Sequence, residues 1–146
     1  MAPRTLVQDL AILLARIGIG VVFVAHGWQK LVTNGMDATA AGFGQMGVPL
    51  PTLSAWFAAL VELVGGAALI LGAALPVAGV LLAVDMLGAY LFAHAGNGIF
   101  VGDGGAELVL ALGVAALLFA AIGSGRFGVD DRLGSRLRRS PARTPA

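Results

Sequence analysis

The chain has 146 residues, 58% of them hydrophobic and 12% charged, with a mean hydropathy of +0.91 and a formal net charge of +1. A soluble domain carries about 25% charged residues, so this balance excludes one and predicts a membrane protein with room for about four spanning helices and no separate soluble domain. There is no cysteine, which removes thiol and disulfide chemistry, cysteine-held iron–sulfur clusters and cysteine-based zinc sites from this chain.

Residues 1–9 are a short, partly polar lead-in that keeps Arg4 outside the hydrocarbon. The apolar run 10–31 follows. At about 1.5 Å per residue it makes a helix of roughly 33 Å, the thickness of a bilayer's hydrocarbon core. It is too long for the apolar part of a signal peptide and no small-residue cleavage site follows it, so it is expected to be retained as a span. Arg16, Gly20, Phe23, Gly27 and Lys30 fall on one face of this helix, with glycines that would let a neighbour approach closely.

Residues 33–52 form a connection with an Asn34-Gly35 turn and Asp37 as a helix cap. Within it, Ala40, Phe43 and Met46 recur every third residue, which predicts a short amphipathic helix at the membrane interface. The second span, 53–71, carries Trp56 near its start, Glu62 near its middle and Gly65-Gly66 a turn later. The third, 76–95, has Pro76 in its first turn, Asp85 near its centre and His94 at its end, and only a few residues separate it from the second. The glycine-rich loop 96–105 lacks the Lys-Ser/Thr of a phosphate-binding loop. The fourth span, 106–122, opens on Glu107.

The fold class is therefore all-α: a polytopic membrane four-helix bundle, up-down-up-down, with one interfacial helix between spans one and two. Residues 1–131 form the transmembrane domain and 132–146 a basic tail, disordered at its extremity. Arg4 and the arginines after Gly125 are basic, whereas the loops 33–52 and 96–105 hold no Lys or Arg. By the positive-inside rule both termini are cytoplasmic and both longer loops face outward. The tail reads as an orientation signal with attraction to anionic lipid, and no nucleic-acid partner is expected.

Depth along each span groups the polar residues. Glu62 and Asp85 lie near the midplane, where an unpaired charge costs at least about 2.5 kcal/mol, and Arg16 lies about one turn to its cytoplasmic side, within reach of them. They are expected to pair as one buried network, which leaves one of the two acids to hold a proton. It serves either as a structural lock or as a proton or ligand site. A second group, His26, Lys30, His94, Glu107, Trp28 and Trp56, converges near the outer face. It reads as a candidate pocket for a quinone or lipid headgroup, with Lys30 alternatively snorkelling and the tryptophans alternatively anchoring at the interface. No metal site is assigned, no cofactor is covalently bound, and two histidines at unknown rotation do not make haem expected.

Five segments carry a resemblance: Arg16-x-x-x-Gly20, His26-Gly27-x-x-Lys30, Phe43-x-x-x-Gly47-x-Pro49, Glu62-x-x-Gly65-Gly66 with Leu71-Gly72, and Gly123-x-Gly125-Arg126-Phe127-x-Val129-Asp130. In order and spacing they resemble the DoxX family of small bacterial membrane proteins. The family's closing Ser-Leu-Asp stands here as Gly128-Val129-Asp130. The resemblance implies a four-helix protein of the bacterial cytoplasmic membrane associated with redox metabolism. The family is named after a subunit of a thiosulfate:quinone oxidoreductase, and an actinobacterial relative is associated with superoxide dismutase and a sulfurtransferase.

Three readings of function stand side by side, and no catalytic residue is assigned. One is a membrane subunit of a quinone-linked oxidoreductase system, with the outer pocket holding the quinone. Another is a non-catalytic scaffold that docks partner redox enzymes. The third is a small proton-coupled transporter acting through Arg16, Glu62 and Asp85, for which a chain this short would need to form a homo-oligomer.

Overall fold

A computed structural model describes residues 4–139; the end of the tail, 140–146, lies outside the described residues. Among the described residues the regular structure is entirely helical.

Helix α1, Leu6–Trp28, opens with a reciprocal cap: the Gln8 N–H donates to the Thr5 hydroxyl at 3.3 Å, and the Thr5 N–H donates to the Gln8 side-chain oxygen at 2.8 Å. It runs on without a break into a π-helical turn, Gln29–Thr33, where the Asn34 N–H reaches five residues back to the Gln29 carbonyl at 2.8 Å. Helix α2, Met36–Gln45, follows Gly35, whose φ of +79° turns the chain; Asp37, expected as the cap, sits in the first turn instead. Helix α3 spans Pro51–Leu71 and α4 spans Leu75–Ala89, joined by a tight connection through Gly72. A second π-helical turn, Tyr90–His94, extends α4, with the Ala95 N–H donating to the Tyr90 carbonyl at 2.7 Å. Helix α5 spans Glu107–Ile122 and α6 spans Val129–Arg139.

Three helical stretches are long and apolar enough to cross a membrane: Leu6–Thr33, Pro51–Leu71 and Leu75–His94. Glu107–Ile122 is equally apolar but shorter, roughly 24 Å at 1.5 Å per residue. Side chains facing away from the protein are hydrophobic, with Leu14, Val64, Val77 and Val114 each more than 60% exposed, the surface an acyl-chain solvent requires.

Helix α1 packs along α3, α3 beside α4 and α4 along α5, while α2 lies against α3. The α1–α3 seam is close because Gly20 and Gly27 lack side chains there. A Cβ at Gly20 would stand 2.7 Å from the Gly66 carbonyl oxygen, and one at Gly27 2.6 Å from the Leu63 nitrogen.

One end of the molecule is tied by polar contacts. Arg4 donates to the Ile122 carbonyl, and the Arg126 N–H donates to the Asp9 carboxylate at 3.3 Å. The Asp130 carboxylate accepts from the Ala74 and Leu75 N–H groups at 2.8 and 3.2 Å, capping α4, while its own N–H donates to the Gly72 carbonyl at 3.0 Å. Helix α1 thus starts at Leu6, earlier than the apolar run suggests, and takes Asp9 into the interior at 4% exposure because Arg126 is there to meet it.

Candidate functional site

At the opposite end the helices part around a cavity of about 580 Å³, within the size range of small-molecule sites. Every described helix except α6 contributes to its wall. Phe23, Phe43, Phe57 and Phe92 make the wall aromatic and apolar, and His26, Lys30, Ser54, Glu62, Asp85 and His94 add polar groups.

The centre of this set is an ion pair: the Lys30 ammonium meets the Glu62 carboxylate at 2.5 Å, with the Glu62 side chain 3% exposed. Asp85 lies against Glu62 and within electrostatic reach of Lys30. Three elements, the π-helical turn after α1, α3 and α4, therefore bring one cation and two acids together. Burying such a group in hydrocarbon is costly unless its members satisfy one another. The Lys30 carbonyl, beside the disrupted ladder of the π turn, is met by the Thr39 hydroxyl of α2 at 3.0 Å, so α2 is fastened to the turn that positions the lysine.

This arrangement corrects the expected network of Arg16, Glu62 and Asp85. Arg16 is fully buried, but its guanidinium donates to the Leu69 carbonyl at 3.0 Å and the Ile70 carbonyl at 3.5 Å, near the end of α3 and beside Asp130. The reason is side-chain direction. Helical side chains lean toward their helix's N-terminus, and α1 and α3 run antiparallel, with Gly20 opposite Gly66 and Gly27 opposite Ala59 and Leu63. Arg16 therefore leans away from Glu62, while Lys30 and Glu62 lean toward each other. Lys30, open to being read as a snorkelling residue, instead turns inward.

The outer group divides. His26, Lys30 and His94 line the cavity; Trp28, Trp56 and Glu107 do not. Trp28 and Trp56 are 55% and 43% exposed on the outside of the protein. Glu107 faces the loop before α5, accepting from the Val101 N–H at 2.8 Å, because its place in the first turn of α5 aims it at the preceding 3₁₀ turn. Both histidines have a fixed tautomer. Nδ1 of His26 donates to the Val22 carbonyl at 2.9 Å and Nδ1 of His94 to the Gly104 carbonyl at 2.7 Å, so in the neutral ring Nε2 of each is the acceptor. Among the described residues no group of three or more His, Asp or Glu side chains could hold a metal ion.

The DoxX family pattern matches residues 11–95, more than half of the chain. The chain belongs to the DoxX family. It is 32% identical to an uncharacterized membrane protein of Mycobacterium tuberculosis, over 91% of this chain and 87% of that one. It is also 32% identical to an uncharacterized protein of Haemophilus influenzae, over 80% of this chain and 86% of the relative. A Bacillus subtilis protein named "Putative oxidoreductase CatD" is 36% identical over 57% of this chain and 59% of its own length. No solved structure matches the chain. The DoxX match contains every polar residue of the cavity wall named above, whereas Glu107 and Asp130 lie outside it.

Proposed function

We propose that this DoxX-family protein is a membrane subunit of a quinone-linked redox system, and that the cavity binds the quinone head. One observation carries the reading: a largely apolar, aromatic cavity whose polar groups are the Lys30–Glu62 pair, Asp85 and two histidines with Nε2 as acceptor. A quinone head is a flat apolar ring with two carbonyl acceptors, and the corresponding quinol has two hydroxyl donors. Lys30, or a carboxyl group holding a proton, donates to the carbonyl; His26 Nε2 accepts from the hydroxyl.

Charge supports the assignment. The cavity sets two acids, Glu62 and Asp85, against one ammonium, so one proton held between the acids would balance its charge. A neutral quinone enters without leaving a buried charge unpaired. On reduction the head takes two electrons and two protons; the shared proton is one of them, and the outward opening of the cavity supplies the other. In this reading a partner redox chain supplies the electrons, and the chain has no cysteine for an iron–sulfur cluster of its own.

In this reading α5 completes four crossings, and the DoxX bundle runs up-down-up-down in a bacterial cytoplasmic membrane. The tie between the first helix and the segment after α5, through Asp9 and Arg126, supports both termini lying on one side. The positive-inside rule makes that side the cytoplasm, because the loops at the cavity end hold no Lys or Arg.

The test is to purify the protein from its membrane and identify small molecules in an organic extract. Quinone is expected with the wild type and largely lost with His26→Ala; wild-type protein that neither retains nor takes up quinone would remove the reading.

A further inference from the structure

A second apolar depression, of about 350 Å³, lies along the outer seam of α4 and α5. No charged residue lines it, and its outer rim is exposed: Leu87, Val114 and Leu117 are 56%, 66% and 52% accessible. It adjoins the quinone cavity, since Val84, Met86 and Val109 belong to the walls of both. Met86 and Val109 are the buried members of that partition, and Met86, at 5% exposure, is unbranched and re-packs at low cost.

We infer that this groove is the channel for the ligand's isoprenoid tail: the head sits against Lys30, Glu62 and His26, and the tail passes Met86 and leaves the protein between α4 and α5. This rests on the quinone reading above and goes beyond it by naming the ligand class as long-tailed, membrane-soluble quinone, excluding a short-tailed or water-soluble one. Continuity carries the inference. A flexible apolar tail attached to a head in the cavity must reach lipid, and the groove supplies an uncharged path that shares three wall residues with the cavity. At the middle of that path Gly113 leaves room that a side chain would fill; a Cβ there would come 3.2 Å from the Met86 Cβ.

The test compares the full-length protein and Gly113→Leu, each titrated with a tailless methoxy-substituted benzoquinone and with the same ring bearing a ten-carbon tail, with affinities referred to the free aqueous concentration of each compound. Wild type is expected to bind the tailed compound roughly tenfold more tightly, the factor that burying two methylene groups supplies. Gly113→Leu is expected to lose that advantage while holding the tailless ring as before. Ala83→Leu, which fills the same groove from α4, provides the comparison if Gly113→Leu does not fold. An undiminished tail advantage in the folded variants, or none in the wild type, overturns the channel while leaving head binding intact. Failure of the wild type to bind either compound overturns both.

Discussion

Lys30 and Glu62, 32 residues apart in the chain, meet at 2.5 Å inside the hydrophobic part of the molecule, with Asp85 against the same carboxylate. The two helices that carry this pair also approach most closely through glycine, so the backbone seam and the ion pair depend on one register. That register separates two roles. The cavity end holds the Lys30–Glu62–Asp85 group and the two histidines, and the opposite end, with Arg16 and Asp130, ties the helices together.

The pair itself gives the first prediction. Lys30→Met leaves Glu62 and Asp85 without their cation and is expected to destabilise the protein by about 3 kcal/mol, the scale for removing one partner of a buried pair. Lys30→Met with Glu62→Gln removes both charges and is expected to recover at least about 1 kcal/mol of that loss. Thermal unfolding in detergent, arranged as a double-mutant cycle, measures the difference; strictly additive effects would contradict the pairing.

Arg16 is expected to matter for stability and not for ligand binding. Its contacts with the Leu69 and Ile70 carbonyls place a cation at the end of α3, where it meets the negative end of the helix. Arg16→Leu is expected to cost about 1.5–3 kcal/mol, the range for a hydrogen bond to a charged group. Arg16→Lys, which keeps a cation able to donate to the same carbonyls, is expected to restore part of it. Unfolding midpoints report the loss, and quinone titration below the transition reports unchanged affinity.

Ala74 holds a left-handed conformation at φ +51° at the start of α4, held by Asp130 accepting from its N–H and that of Leu75. Ala74→Gly is expected to stabilise by about 1 kcal/mol through relief of the Cβ conflict. Asp130→Ala is expected to destabilise by about 1–2 kcal/mol through loss of the cap. Opposite shifts in melting temperature of the two single variants check both.

The α1–α3 seam predicts a contrast between two glycines of one helix. Gly27→Val drives a side chain into the backbone of Ala59 and Leu63 and is expected to cost about 1–3 kcal/mol or to prevent assembly. Nothing lies within 4 Å of a Cβ at Gly18, so Gly18→Ala is expected to be neutral or stabilising by about 0.5 kcal/mol. Yield of folded protein and unfolding midpoint distinguish the two.

Much of the helical layout was legible because apolar runs of bilayer length leave little choice of secondary structure, and Gly72 and Pro76 mark the α3–α4 connection. Pairing was harder. Depth counted along each span put Arg16 near the two acids, but depth says nothing about lean, and the lean of side chains toward helix N-termini hands the acids to Lys30. That signal was present in the sequence, in Gly20 and Gly27 on the Arg16–Lys30 face, once the helices are set antiparallel. Helix α6 went unassigned because its polar composition hides it, although Asp130 and Asp131 in its first turn are a helix-start signal. The polar role of Glu107 was misplaced for a different reason: a residue in a helix's first turn commonly serves the loop before it, and no span-depth argument sees that contact. The π-helical turns that aim Lys30 and His94 leave no trace in the hydropathy pattern.

The central claim, that the buried Lys30–Glu62–Asp85 group and His26 receive a quinone head, is tested most directly by titrating a tailed quinone into purified protein. Wild type and Glu62→Gln are compared at a temperature where both are folded. The account predicts saturable binding by the wild type and an affinity at least roughly tenfold weaker in Glu62→Gln, since each 1.4 kcal/mol lost from a charge-assisted contact is that factor. Equal affinity in the two proteins, or no saturable binding by the wild type, would contradict it.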